Sequence, residues 1–268
     1  MIGKDALTAQ CFPRCAEEPI ARLATFPSRT NMPVITFANT KGGAGKTTAV
    51  LLLATELANK GYRVTVLDAD PQHWITRWHE VSGHVPNVEV IDFVTSASLP
   101  QHISENKHNT DYFIVDLPGA RNPLLATAIG LSDHVLIPIQ GCAMDARGGA
   151  QVLELLQYLD EKAGIKIGHS VVLTRVNSMV TTRALALVKS LLSERQVPVL
   201  DTAIIERSAF RDLFDVGGTL HSLDPARVSN LDRAKENALC FAEEIMRKLP
   251  VRLPAAARMT GPFVRSAA

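Results

Sequence analysis

The chain has little that could hold a fold together other than a hydrophobic core. Cysteine is scarce: Cys11, Cys15, Cys142 and Cys240 are the four among 268 residues. They are too few and too unevenly spaced for a disulfide framework, and in a large chain with no signal-peptide pattern they point to a reducing cytoplasm. Cys11 and Cys15 lack the second ligand pair that a zinc site needs. Cys240 falls in a helical pattern near the C-terminus and is expected to be a small buried apolar residue. No apolar run approaches the ~20 residues of a membrane-spanning helix. Aromatic residues make up only 5% and the net charge is only +1, so any grip on a polyanion must come from a local patch. What remains, about 215 residues between two atypical ends, is enough for one α/β domain with its own core.

Against that background eight residues stand out: Lys41, Gly42, Gly43, Ala44, Gly45, Lys46, Thr47 and Thr48. The preceding run, Pro33 to Asn39, is apolar and β-branched and predicts a buried parallel strand. The following run predicts a helix that ends at Gly61. Strand, glycine loop and helix form the context in which a phosphate-loop pattern becomes a site. Glycines let backbone N–H groups converge on an anion, and the helix N-terminus adds its dipole. Lys46 would reach the β- and γ-phosphates and Thr47 would ligate Mg²⁺. The loop lacks one glycine of the usual pattern: Thr40 stands in that place, followed by Lys41 and two glycines. A lysine at that point faces away from Lys46 and could serve a second nucleotide across a dimer interface, where the plainer alternative is a solvated surface charge.

Two further strand ends carry carboxylates. Tyr62–Gln72 reads as an apolar strand ending in Asp68-Ala69-Asp70-Pro71-Gln72, and Asp111–Gly119 as one ending in Asp116-Leu117-Pro118-Gly119. Carboxylates at the C-terminal ends of parallel strands lie along the crevice that receives the phosphate loop. One can hold the water shell of Mg²⁺ and another can orient an attacking water. A lone strand-end aspartate is as well explained by capping the next helix; three strand ends agreeing on one nucleotide is a stronger signal.

The combination KGGAGKTT, DADPQ and VDLPG resembles the ParA/MinD family of deviant Walker-type ATPases, and within it the ParA branch, over about Pro33 to Leu249. The segment Ile75-Thr76-Arg77-Trp78 is similar to ParA-like proteins of plasmid partition and T-DNA transfer. The resemblance implies a P-loop NTPase fold with ATP and Mg²⁺ as cofactors. It makes Lys41 the signature lysine that contacts the partner subunit's ATP, and Gly42, Gly43, Ala44, Gly45, Lys46, Thr47 and Thr48 the phosphate cradle. Asp70 then positions the hydrolytic water, Asp68 supports the loop and metal, Asp116 holds Mg²⁺ through water, and Gly119–Pro123 senses the γ-phosphate. It further implies an ATP-sandwiched homodimer that binds double-stranded DNA without sequence preference, and a ParB-like or adaptor partner that stimulates hydrolysis. No arginine finger or glutamine is evident in cis, so turnover alone should be slow. Relatives place adenine near the late strands, which makes Arg175, Asn177 and Ile205–Arg207 the candidates.

The rest of the chain alternates strands and helices. Strands are expected at Val88–Phe93, Asp133–Ile139, His169–Val176 and Val199–Ile205. Helices are expected at Leu99–Lys107, Asn122–Leu131, Ala146–Ala163, Thr181–Arg195 and Asp232–Leu249. The succession predicts a mostly parallel twisted sheet with helices on both faces. Trp74 and Trp78, at i and i+4, read as core, with an interface role as the alternative; His73 reads as a surface or capping residue. Residues 1–32, with Pro13, Pro19 and Pro27 and no periodicity, read as a disordered extension with room for a helix at Glu17–Ala24, or as the product of a start codon placed ahead of Met32. Residues 33–249 form the ATPase domain and 250–268 a basic tail.

Candidate DNA contacts are Arg207, Arg211, Arg227, Arg233 and Lys235, several of which have acidic neighbours and would serve equally as solvated charge. Beyond Met246 the charge is one-sided, with Arg247, Lys248, Arg252, Arg258 and Arg265 and no acid, and phosphate contacts there would steepen salt dependence. Pro250, Pro254 and Pro262 interrupt any amphipathic membrane helix of the MinD kind, so no membrane partner is expected. A nitrogenase-type reductase would need cluster cysteines in Gly119–Leu125, where there are none; a metabolic ATPase on the same scaffold usually lacks a lysine at the Lys41 position. If Asp70 positions the water, Asp70→Ala binds nucleotide normally and loses hydrolysis in a phosphate-release assay. Turnover at the wild-type rate would remove that role.

Overall fold

The computed structural model describes residues 32–141, 143–177 and 182–251, with backbone alone at 143–145. The N-terminal extension, Cys11, Cys15, Cys142, Arg252, Arg258 and Arg265 lie outside the described residues.

The elements follow the expected alternation: β1 (Val34–Phe37), α1 (Lys46–Asn59), β2 (Val64–Asp68), α2 (Trp74–Ser82), β3 (Val88–Ile91), α3 (Leu99–Asn106), β4 (Tyr112–Asp116), α4 (Pro123–Leu131), β5 (His134–Gln140), α5 (Ala143–Ala163), β6 (Gly168–Thr174), α6 (Arg183–Glu194), α7 (Ser208–Val216) and α8 (Leu231–Lys248). The strands form one sheet in the order β3-β2-β4-β1-β5-β6, with every pairing parallel. β1 therefore lies between β4 and β5, deep in the sheet. It is buried on both faces, as its unbroken apolar run requires.

Successive side chains point to opposite faces and divide the core in two. Ile35 and Phe37 face a layer of α1, α2, α7 and α8. Val34 and Ala38 face a layer of α3, α4, α5 and α6. α1 is apolar nearly all round, Ala49 to Ala54 being buried without a break, because it lies between the sheet and α8. Burial of each such Leu or Val contributes about 1.5–3 kcal/mol. The tryptophans divide: Trp78 is buried and donates Nε1–H to the Gly218 carbonyl at 2.9 Å, while Trp74 is exposed, set edge-on to Phe214 with the Arg77 guanidinium over its ring. Cys240 is exposed, contrary to expectation. The buried stripe of α8 runs through Ala234, Ala238, Phe241, Ala242 and Ile245, and position 240 falls outside it.

The expected strand at Val199–Ile205 is not one. It runs beside β6 with isolated bridges, Val171 to Val199 and, just beyond the strand, Val176 to Ile205, and with the Leu200 and Ile204 N–H groups donating to the Val171 and Leu173 carbonyls at 2.8 Å. Between them the Asp201 and Thr202 N–H groups turn to the buried Glu244 carboxylate on α8, at 2.9 and 2.8 Å, and Ile205 N–H donates to Asn237 Oδ1 at 2.9 Å. Side chains of α8 take three amides of the segment and so interrupt the ladder that would have made a strand. α7, which follows, was not anticipated: Ala209, Phe210 and Leu213 seat it on the core. Removing Glu244 would orphan two amides at once, each costing about 1–3 kcal/mol. Glu244→Ala is therefore expected to lower the unfolding free energy in urea by about 2–4 kcal/mol, with Glu244→Gln in between.

Candidate nucleotide-binding site

The loop after β1 is held from three sides. Asn39 Nδ2 donates to the Pro138 carbonyl at 2.7 Å, and its Oδ1 accepts the Lys41 N–H at 2.9 Å. Gln140 Nε2 donates to the Gly43 carbonyl. Thr174 Oγ1 donates to the Ala44 carbonyl at 2.8 Å. The ends of β5 and β6 thus shape the loop from behind. Gly43 and Gly45 have φ of +80° and +86°, where a side chain would be strained. The N-cap of α1 is Gly45, so no side chain of its own covers the helix start, and Gly42 and Gly43 are exposed above it. The result is an open nest of donors at a positive dipole end. Lys46 is buried, folds back to donate to the Lys41 carbonyl at 3.2 Å, and has its pKa lowered by burial, with Asp116 and Asp70 acting the other way.

Parallel register brings the acids alongside. Phe37 pairs with Asp116, and Asp68 pairs with Asp116 on the other side. Both carboxylates are fully buried, yet their surroundings differ. Asp68 Oδ2 accepts the Thr76 N–H and hydroxyl at 2.9 and 2.8 Å, and Oδ1 accepts the Asp70 N–H at 3.3 Å. These bonds fix the Asp70 turn and the start of α2, and each carboxylate oxygen keeps acceptor capacity. Asp116 has no hydrogen-bond partner on either buried oxygen. Burial pushes its pKa up to about 7, helped by Asp68 and opposed by the Thr47 hydroxyl and Lys46. Asp70 is half-buried, and its Oδ1 accepts the Gln72 N–H at 2.9 Å in an Asx turn.

These residues fit a nucleotide phosphate with its Mg²⁺. The glycine nest would take the phosphates, and Thr47 with the orphaned Asp116 carboxylate would take the metal. The bound ion would supply charge neutralisation and orientation of phosphate and water.

Beside Gly45 and Thr48 opens a groove walled by Thr174, Arg175, Ile205, Glu206, Arg207 and Phe210. Arg175 and Ile205–Arg207, named from sequence, are thus brought to the loop; Asn177 is exposed and not among the lining residues. Arg207 Nε is buried with no partner. Arg211 also lines the groove and pairs with Glu206. Of the five residues named for DNA, Arg207 and Arg211 therefore stand at the groove. Arg233 is exposed on α8, and Lys235 is close enough to Glu56 to act on its charge. Arg227 is exposed and ion-pairs with Asp224.

Sequence reading passed over a set of close approaches. A Cβ on Gly119 would stand 2.5 Å from the Gly42 nitrogen, so the segment after Asp116 lies directly on the phosphate loop. A Cβ on Gly148 of α5 would stand 2.2 Å from Asn39 Oδ1, and one on Gly149 2.6 Å from Ile139. Two consecutive glycines inside a helix, each about 1 kcal/mol worse than alanine, were the available signal that something passes close by. His73 sits at the α2 N-cap with φ 49° and stacks on Phe93, its Nδ1 buried and unpartnered.

Sheet, glycine loop and strand-end carboxylates together define a P-loop NTPase. Residues 32–247 match the model of the VirC1 protein family, and the chain belongs to that family, within the ParA/MinD group. It is 39% identical over 219 residues to protein ParA of Rhizobium radiobacter, covering 81% of this chain and 98% of that protein. It is 31% identical over 192 residues to protein VirC1 of the same organism, covering 69% and 82%. Among solved structures the fold is similar to McdA of Cyanothece. The apo form has TM-score 0.65, 20% identity and coverage of 80% of this chain and 99% of that one; an ATP complex has TM-score 0.63, 20% identity and coverage of 81% and 97%.

Two predictions follow from this geometry. Gly119→Ala sets a methyl against backbone that cannot yield, and is expected to weaken Mg²⁺–nucleotide binding at least about tenfold by calorimetry. Gly130→Ala in α4, with nothing within 4 Å of the new methyl, should leave it unchanged. The folded-state pKa of Asp116 is raised from 3.8 to about 7, so its contribution to stability is present below about pH 4 and lost as pH rises through 7. Asp116→Asn removes that loss: without nucleotide at pH 8 the variant is expected to melt above wild type.

Proposed function

We propose that the chain is an ATP-hydrolysing partition protein. Two copies close around two ATP molecules, the closed dimer holds DNA without sequence preference, and hydrolysis stimulated by a ParB-like or adaptor protein releases it. The observation that carries this reading is the two-lysine loop KGGAGKTT, set among Asp70 and Asp116, in a chain aligned with 98% of a protein named ParA.

Roles for the residues follow. Lys46 and the loop amides bind the phosphates of the protein's own nucleotide. Lys41, its N–H anchored by Asn39, reaches the partner's nucleotide. Asp70, half-buried, with its N–H turned to Asp68 and its own carboxylate close enough to act on the charges of Lys46 and Asp116, orients water. The base lies in the groove of Arg175 and Arg207, where the unpartnered Nε offers a donor. With Arg207 and Arg211 engaged there, DNA contacts fall to Arg233, Lys235 and the basic end, of which Arg247 and Lys248 are exposed at the close of α8.

The test is binding to a random-sequence duplex with ATP, ADP or no nucleotide, across a salt titration, beside Lys41→Ala. Tight binding with ATP alone, lost in the variant and falling steeply with salt, is the expected result. Nucleotide binding without DNA binding in any state would replace this reading with a protein- or membrane-directed positioning ATPase.

A further inference from the structure

The phosphate loop, the segment after Asp116 and helix α5 meet at one atom. Gln151 Oε1 lies 2.6 Å from Thr40 Oγ1 and 3.0 Å from Arg121 Nε. Thr40 is the residue that replaces the loop's first glycine, Arg121 stands two residues beyond the Gly119 that presses on Gly42, and Gln151 is on α5, one turn from Gly148. The protons can be assigned. An arginine Nε can only donate, so the atom facing it must be the amide oxygen of Gln151 and not its nitrogen. Thr40, facing the same oxygen, must then donate as well. The Gly148 carbonyl, 3.3 Å from Thr40 Oγ1, is the weaker acceptor for that proton.

We propose that Gln151 is a positioning residue: its amide oxygen, shared by Thr40 and Arg121, ties the loop that receives phosphate to the segment that follows the metal-motif aspartate. Three features support more than a surface hydrogen bond. The bridge spans three elements that are distant in sequence. It uses a threonine where the ordinary loop has no side chain at all. And α5 is brought within reach by a helical glycine pair that its own stability does not favour. Through the bridge, displacement of the loop by a bound nucleotide is transmitted to Arg121 and to α5. The inference rests on the proposed ATPase reading for its catalytic consequence, but not for the bridge itself.

The experiment compares wild type with Gln151→Leu, which keeps the shape and removes the acceptor, Gln151→Glu, which keeps two acceptors, and Thr40→Val. Two readouts are taken on the full chain. The first is the rate of tryptic cleavage at the Arg121–Asn122 bond without nucleotide, followed by mass spectrometry. The second is steady-state ATP hydrolysis. Gln151→Leu is expected to expose the bond several-fold faster and to lower kcat about tenfold with KM within about threefold, the pattern of lost positioning rather than lost binding. Gln151→Glu is expected to restore both, and Thr40→Val combined with Gln151→Leu to add nothing further. Cleavage of Gln151→Leu at the wild-type rate, or failure of Gln151→Glu to restore it, overturns the bridge. If wild type hydrolyses no ATP, the ATPase reading fails, and the cleavage rates alone still decide whether the tie exists.

Discussion

Burial of the Asp116 carboxylate is the constraint on which the crevice depends. Parallel pairing with β1 and β2 puts it beside Asp68, fully buried, with the Thr47 hydroxyl and Lys46 as the neighbours that favour its charge. Held charged in that setting, a carboxylate destabilises the fold unless a cation or a proton compensates. Lys46 is pressed toward it and is itself desolvated. The crevice thus sets two neighbouring acids against one desolvated lysine, an arrangement that a phosphate-bound cation would compensate.

Around that centre the chain commits rigid parts. Asp68 fixes α2, Asn39 and Gln140 fix the loop to β5, and Thr174 fixes it to β6. Gly119 and Gly148 let two further backbones touch the same few residues. A loop gripped from the ends of β5 and β6 has little left for a ligand to order, so less of the binding energy goes into arranging it.

What could be read beforehand follows from how each feature is held in place. β1, β2 and β4 are buried on both faces and show as unbroken apolar runs, and the glycine loop has its own signature, so the sheet and the acids at its rim were legible. Val199–Ile205 is also largely apolar, yet the Asp201, Thr202 and Ile205 amides are met by Glu244 and Asn237, 32 to 43 residues later, a competition invisible in a local window. α7 carries a helical spacing in Ala209, Phe210 and Leu213, but over only nine residues, too short a run for the period to stand out from the charged residues interleaved with it. Gln151 belongs to no motif: only the fold places it between Thr40 and Arg121.

The groove beside the loop has an asymmetric construction. One wall, Gly45, Thr48 and Thr174, is part of the sheet and its first helix; the other, Ile205 to Arg207, is tied both to the sheet edge by backbone bonds around Val176 and to α8 by the side chain of Asn237. The second wall therefore answers to α8 as well as to the sheet. Substitutions in α8 or in that segment can reshape what the groove accepts while the phosphate cradle stays as it is, which separates the inheritance of chemistry from the inheritance of selectivity.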